Sequence, residues 1–422
     1  MNDGHDALSR AQPQSSGATL EQPMPSNLPA GTALVPGALL PKLARRTAYK
    51  DPFRFDGKQH FRDMMYEAHA QGASDIFIQP GYPICIQVEG DMYALTSRSL
   101  DDTEIKFLLK EAIGRDTAIT DIISGKAVDG RYELHDPTAM DARGAKVRHG
   151  FRVNASPVLH WGGTAAQMVL RTIPKEPPTY KQIGLSDEIM RHCTPHDGII
   201  YVAGATGSGK TTTFAAIIRF ILENDTAIRG NLITHEQPVE FVYDSIVSRH
   251  SIIVQSQIPN QFSSFNAANE AAMRRKPSLI MVGELRDEAT IRAANEAALT
   301  GHPVFGTVHA KSVPAIMRRL ISRFPETERA SAIYDIVETA RFAMAQRLVK
   351  GVDGKRIAVR EHLVFDEKSR DELSGLSDMG RVTSVVKRLV DTCGHSFRAE
   401  AQRLLSEGRI DAKTALDIEN TV

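Results

Sequence analysis

The chain has 422 residues, of which 42% are hydrophobic, 24% charged and 6% aromatic, which leaves room for two or three globular domains and excludes a collagen-like or wholly disordered chain. Lys plus Arg number 51 and Asp plus Glu number 51, so no global charge draws the chain to nucleic acid, although a local basic patch is still allowed. The three cysteines, Cys85, Cys193 and Cys393, form no C-x-x-C pair, which excludes a disulfide framework and a four-thiolate zinc site and points to a reducing compartment. The start of the chain lacks a basic region followed by an apolar run, and no stretch approaches the roughly 18 apolar residues of a membrane span. A cytoplasmic protein is expected, associated with a membrane only through partners.

In chain order, Gln12 to Pro41 is rich in Pro, Gly, Ser, Gln and Ala, too poor in large apolar groups to offset its ordering entropy. Residues 1 to about 50 therefore read as a flexible tail. Helical spacing follows in Phe61 to Ala68. Ser74–Gly81 and Ile84–Asp91 then alternate apolar and polar residues and end in turn residues, as hairpin strands do. With strand-like pieces at Phe151–Asn154 and Gln167–Arg171, residues 51–173 form a small mixed α/β domain. The prolines of Ile173–Pro178 disfavour helix and central strand, which suits an interdomain hinge over 174–186. From about 196 to 310 a strand, glycine loop and helix pattern repeats, predicting a parallel sheet flanked by helices in a domain of residues 187–350. After about 312 helical periodicity dominates, broken by a hairpin around Val352–Lys355, within a C-terminal region of residues 351–422.

Gly204-Ala205-Thr206-Gly207-Ser208-Gly209-Lys210-Thr211 matches the phosphate-binding loop G-x-x-x-x-G-K-[ST], preceded by the apolar run Ile199–Ala203 and followed by a helical segment that opens at Thr212. Its glycines let backbone N–H groups converge on phosphate oxygens at a helix N-terminus; Lys210 offers a charge for the β and γ phosphates and Thr211 a ligand for Mg²⁺. ATP and Mg²⁺ are the expected ligands. The apolar strand ending in Gly283-Glu284-Leu285-Arg286-Asp287 delivers charged groups at its C-terminal edge, where ligands sit in open α/β sheets. Glu284 can orient or deprotonate an attacking water there, or be a helix cap or ion-pair partner; Asp287 fits the cap of the following helix. The strand Gly230–His235 ends in Glu236-Gln237-Pro238-Val239-Glu240, where Glu236 can hold a Mg²⁺-bound water. The strand Pro303–Val308 is bracketed by His302 and His309, each either a structural hydrogen-bond donor or a phosphate sensor.

Taken together, these four segments occur in the order of the Walker A, aspartate-box, Walker B and histidine-box motifs, which resembles the ATPases of type II and type IV secretion and of type IV pili. Within them the chain is most similar to the DotB/TraJ ATPases of type IVB secretion and conjugation and to the pilus-retraction motors. Gly72–Gly81, Phe151–Asn154 and Leu170–Pro174 match as well, so the likeness covers about residues 55–350. It implies a RecA-like P-loop ATPase core behind a PAS-like N-terminal domain, a homo-hexamer, and inner-membrane components of a secretion or pilus apparatus as partners. It also implies Lys210 and Thr211 for phosphate and Mg²⁺, Glu236 for the metal-side water, Glu284 as the catalytic carboxylate and His309 near the γ-phosphate. Arg152 and Arg171, close to the hinge, either pair with surface carboxylates or swing onto the γ-phosphate when the domains close; the likeness supports the second arrangement, and closure within one chain is expected. Departures are Gln237 where an acidic residue is usual, His235 where an apolar one is, and Gly150 in place of a first arginine. Neither the Ala-Ile-Arg-Ala-Gly-Glu segment of the retraction motors nor a cysteine-rich zinc module is present, which favours the DotB/TraJ branch. Three alternatives stand: a pilus-retraction motor, a nucleic-acid translocase, and a nucleotide-binding regulator without hydrolysis. The translocase needs a basic groove that the overall charge balance does not supply; Met273–Lys276 could contribute locally, but that cluster reads rather as a helix end facing the dipole or a neighbouring subunit, and Glu284 counts against the regulator.

Overall fold

The computed structural model describes residues 33–34, 43–140, 144, 146–173 and 176–420. Most of the expected tail lies outside the described residues, as do Pro174 and Lys175 of the hinge.

The first body is an eight-stranded sheet with spatial order β1-β2-β5-β4-β3-β8-β7-β6. Its elements are β1 (Ala33–Leu34), β2 (Ala44–Arg45), α1 (Lys58–Ala70), β3 (Asp75–Ile78), β4 (Cys85–Val88), β5 (Asp91–Ala94), α2 (Asp102–Ile113), α3 (Ala118–Ile123), β6 (Val128–Met140), β7 (Lys146–His160) and β8 (Gly163–Ile173). Helix α2 is bounded by chemistry visible in the sequence. Asp101 and Glu104 form a reciprocal capping box, and Gly114 ends the helix at φ 70°. The three helices close one core with the sheet, Phe61, Met64 and Met65 of α1 and Ile105 and Leu108 of α2 meeting Ile76, Ile86, Val153 and Leu170 of the strands.

The second body is a seven-stranded sheet of order β11-β10-β12-β13-β9-β14-β15, parallel except for its last pair. It comprises α4 (Asp187–His192), β9 (Gly198–Ala203), α5 (Lys210–Glu223), β10 (Gly230–Glu236), β11 (Ser251–Gln257), α6 (Phe265–Ala272), β12 (Pro277–Val282), α7 (Glu288–Leu299), β13 (Pro303–Val308), α8 (Val313–Ile321), α9 (Arg329–Thr339), β14 (Ala340–Lys350) and β15 (Arg356–Val364). Helices cover both faces, so β9 and β13 are buried throughout, the reason these strands read as continuous apolar runs rather than alternations. Ile199, Tyr201 and Ala203 of β9 enter the core shared with α7, α8 and α9, whereas Ile200 and Val202 enter the one shared with α5.

The hairpin expected around Val352–Lys355 is present but longer than expected: residues 340–364 form it, where helical periodicity was read up to the turn, and its first strand lies parallel to β9. Phe342 and Met344 point into the α5 core and Ala343 and Ala345 into the other, so tertiary pairing decides a segment whose apolar spacing suits either structure. The turn falls at the expected place, closed by Gly351 N–H donating to Lys355 O at 2.8 Å. Four helices follow, α10 (Glu367–Ser374), α11 (Met379–Thr392), α12 (Phe397–Ser406) and α13 (Ala412–Asn420): α10 packs on α9, α11 on α8, α12 on β15 and α13 on α12. Residues 176–186 lie on this second body: Arg219 donates to Pro177 O at 2.7 Å and Leu185 is buried beneath α5. Among the described residues no helix is long and apolar enough to cross a membrane.

Candidate nucleotide site

The parallel strands β9, β10, β12 and β13 all end at one edge of the second sheet, and the chemistry-bearing segments follow those ends. Residues 204–209 connect β9 to α5, with Gly209 as the residue before the helix at φ 87°, a conformation that suits glycine. Lys210 opens α5 and is buried, its Nζ donating to Gly204 O at 2.9 Å and Ala205 O at 3.0 Å. Burial pushes its pKa down, while the carboxylates of Glu284 and Glu240 push it up. The loop is thus folded around a charge that phosphate oxygens can take over from carbonyls.

Glu284 sits just past β12, in a turn tied to both neighbouring strands. Gly283 N–H donates to His235 O at 2.7 Å, Leu285 N–H donates to Thr307 O at 2.9 Å, and the Thr307 hydroxyl donates to Gly283 O. The approach at Gly283 is close, since a Cβ there would lie 2.8 Å from His235 O. His309, just past β13, places Nε2 3.7 Å from Glu284 Oε1. Its pKa is lowered by burial first and by the Lys210 charge second, so the imidazole is held neutral beside the carboxylate. Lys210, Glu284 and His309 therefore form one cluster.

Glu236, at the end of β10, is buried and accepts from Thr234 Oγ1 at 2.7 Å and Gln255 Nε2 at 3.0 Å. Burial raises its pKa against those two hydrogen bonds. Asp287 caps α7 by accepting from Thr290 N–H at 3.0 Å. Of the flagged threonines, Thr211 and Thr212 lie half-buried in the first turn of α5, and the Thr211 hydroxyl has no intramolecular partner among the described hydrogen bonds. That leaves it able to ligate a metal.

The two arginines are placed differently. Arg152 of β7 faces Glu240 Oε1 at 3.7 Å across the domain boundary. Arg171 of β8, its direct neighbour in the sheet, donates from Nε to Asp75 Oδ1 at 2.7 Å and leaves most of its side chain exposed. Both thus rest on carboxylates in this conformation, and only Arg152 contacts a segment of the nucleotide-binding body. The departures have physical roles. His235 is fully buried, with Nδ1 2.8 Å from Asn269 Oδ1, and the Gln237 amide oxygen accepts from Arg286 at 3.4 Å.

Two residues that sequence reasoning missed shape the back of the loop. Gln346 of β14 is buried, donates from Nε2 to Ser208 O at 2.7 Å and accepts the Thr213 hydroxyl at 2.8 Å. Its cross-strand partner on β15, Arg360, is buried as well and donates to Ile183 O at 2.7 Å and Gly184 O at 3.0 Å. Burial brings the Arg360 pKa down to about 10. Their signal was the hairpin itself, which places a Gln and an Arg opposite each other at the loop.

A glycine loop leaving the fifth of seven strands, a buried lysine at the helix start and carboxylates past the adjacent strands define a RecA-like P-loop nucleotide-binding fold, joined to a smaller mixed α/β body. The chain belongs to the family described as type II/IV secretion system protein, whose model matches residues 58–402. Among solved structures it is similar to the ATPase DotB of Yersinia pseudotuberculosis, with 50% identity and a TM-score of 0.75 over 89% of this chain and 97% of that one. The ATPase DotB of Legionella pneumophila is 40% identical with a TM-score of 0.81, over 88% of this chain and 98% of that one. By sequence the chain is 32% identical to the type IV pilus retraction ATPase PilT of Pseudomonas aeruginosa, over 70% of this chain and 79% of the relative.

Proposed function

We propose that the chain is an ATP-hydrolysing hexameric motor of the DotB type, powering a type IVB secretion or conjugation apparatus from the cytoplasmic side of the inner membrane. The observation that carries this reading is the likeness to DotB at 50% identity over nearly all of that chain, combined with a loop in which no phosphate-binding residue has been replaced. The likeness to PilT supports a second reading, a pilus-retraction motor.

In the proposed cycle, the loop amides and Lys210 bind the β and γ phosphates of ATP, Glu284 orients and deprotonates the attacking water, and neutral His309 donates a hydrogen bond near the γ-phosphate. Thr211 directly, and Glu236 through water, would hold Mg²⁺, which neutralises phosphate charge when bound. The donor set fits: the Thr211 hydroxyl has no partner among the described residues, and a nearby dication would restore the charge that burial disfavours on Glu236. Arg152 and Arg171 would leave their carboxylates for the γ-phosphate on closure.

The test is a pair of variants. Lys210→Ala should lose tight nucleotide binding, and Glu284→Gln should bind ADP and ATP normally while phosphate release ceases. Normal release by Glu284→Gln would overturn the assignment of the water-handling carboxylate. Light scattering with a slowly hydrolysed ATP analogue should give a species of six chains, and a strict monomer under all nucleotide conditions would refute the motor.

A further inference from the structure

The nucleotide loop occupies the C-terminal edge of the second sheet; the opposite edge, where β10, β11 and β12 begin, carries a separate cavity of about 730 Å³. Four cations, Arg229, Arg249, Arg275 and Lys276, line it, and no carboxylate does. Arg229 is held by Asp225 four residues earlier. Arg249, Arg275 and Lys276 have no acidic partner among the described residues, although the chain holds as many acids as bases and its arginines elsewhere are commonly paired, as in Arg219–Glu223, Arg292–Glu288 and Arg403–Glu400. An acid-free concavity of this kind is therefore not the background of a basic surface. It concentrates a positive field where anions are attracted.

The polar lining is also arranged to donate. Ser248 Oγ accepts from Ser251 N–H at 3.2 Å, so the hydroxyl proton remains available to another acceptor. Ser278 adds a second hydroxyl to the lining. Lys276 adopts φ 49°, the left-handed region that costs a side-chain-bearing residue about 1 kcal/mol. That conformation falls in the turn from α6 into β12, at a cation lining the cavity.

We propose that this cavity is a binding site for a phosphate-bearing anion, distinct from the nucleotide loop. Guanidinium, ammonium and hydroxyl donors converging on a concavity match the several acceptor oxygens of a phosphate. Two sources share that chemistry, a soluble polyphosphate and the headgroup of an anionic phospholipid, and the experiment separates them.

The full chain, saturated with ADP so that the nucleotide loop is filled, is titrated with pyrophosphate by calorimetry. In parallel it is co-sedimented with vesicles containing phosphatidylglycerol, against phosphatidylcholine vesicles. The comparison protein is Arg249→Ser/Lys276→Gly: Arg249 is exposed and glycine accepts the backbone at 276, so this variant should fold, which unchanged ADP binding by it checks. Binding in either arm that falls at least tenfold in the variant supports the site and identifies its source. Failure of both probes, or binding that the variant does not weaken, overturns the proposal; so does capture of polyglutamate alone, which would make the cavity a seat for an acidic protein segment. These measurements read binding without hydrolysis, so their failure leaves the motor proposal intact.

Discussion

Replacing Gln346 with Leu removes the side chain that ties the end of the phosphate loop to the first turn of α5. The native amide donates to Ser208 O at 2.7 Å, inside the loop, and accepts from Thr213 Oγ1 at 2.8 Å, on the first turn of α5. Leu is of similar size, so little cavity forms, but the Ser208 carbonyl, the Thr213 hydroxyl and the more distant Arg360 Nε–H, which donates to Gln346 Oε1 at 3.5 Å, are left without this partner. Each such orphan costs about 1–3 kcal/mol, and part of that cost is relieved if the loop leaves its binding conformation. When the competent loop is only a fraction of the free protein, apparent affinity drops by that fraction. A share of about 1.5–3 kcal/mol expressed in binding corresponds to a ten- to hundredfold weaker ADP affinity. Thr213→Val removes only the hydroxyl donor and spares the Ser208 contact, so it should weaken ADP by less than about tenfold, one hydrogen bond being worth about 1 kcal/mol. Calorimetry of ADP binding, with phosphate release measured at saturating ATP, checks both variants. The expected signature is a raised KM with kcat largely kept, since the machinery at Glu284 is untouched. ADP binding by Gln346→Leu within twofold of the native protein would refute the reasoning, as would an equal loss of affinity in Thr213→Val.

Arg171→Ala should keep nucleotide affinity within about tenfold, roughly 1.4 kcal/mol, yet lose most hydrolysis; near-normal turnover would remove the arginine from the proposed cycle. Mixing Arg171→Ala chains with Lys210→Ala chains should restore nothing if each arginine serves its own chain's nucleotide, and substantial recovery would show that it reaches a neighbour's. His235 supplies a pH test: burial lowers its pKa to about 4, below the ordinary 6.5, so the fold favours the neutral ring and loses this stability as pH falls from 6.5 toward 4. The linkage amounts to about 2 kcal/mol between pH 7 and pH 5. His235→Leu should show a correspondingly shallower acid loss in denaturant melts at those two pH values, and parallel losses would contradict the assignment.

How much of this was legible in the sequence follows from where each constraint lives. The glycine loop and strands β9, β12 and β13 were readable because strands buried on both faces run as unbroken apolar stretches, and because the loop's backbone demands glycine at fixed positions. Glu236, Glu284 and His309 were recognisable as strand-end residues without knowledge of their neighbours. Gln346 and Arg360 were not. Their partners Ser208, Thr213, Ile183 and Gly184 lie more than a hundred residues away in the chain, and Ala340–Lys350 carries apolar residues at spacings that a helix also satisfies. Only pairing with β9 makes the segment a strand. The partners of Arg152 and Arg171 were equally hidden, since sheet register and domain packing select Glu240 and Asp75 from a chain with acids throughout.

The domain boundary bears on the closure that the proposed cycle requires. Strands β6 and β7 carry Arg131, Arg148 and Arg152, and all three settle on residues 239–244, the segment after β10: Arg131 Nη1 donates to Val239 O at 2.9 Å, Arg148 pairs with Asp244, and Arg152 faces Glu240 at 3.7 Å. Gly150 explains the first of these contacts. A Cβ at that position would stand 2.9 Å from Arg131 Nη2, so the glycine makes room for a guanidinium from the adjacent strand to lie across it. Arg131 thus lies over Gly150 and places a cation at the boundary. Partly exposed ion pairs contribute little individually, about 0–1 kcal/mol, whereas apolar contact of the same extent would hold the bodies far more tightly. A partly exposed pair such as Arg152–Glu240 can exchange carboxylate for phosphate oxygens at small cost. The proposed cycle requires that exchange of Arg152, and the contacts of Arg131 and Arg148 supply a hold that does not depend on it.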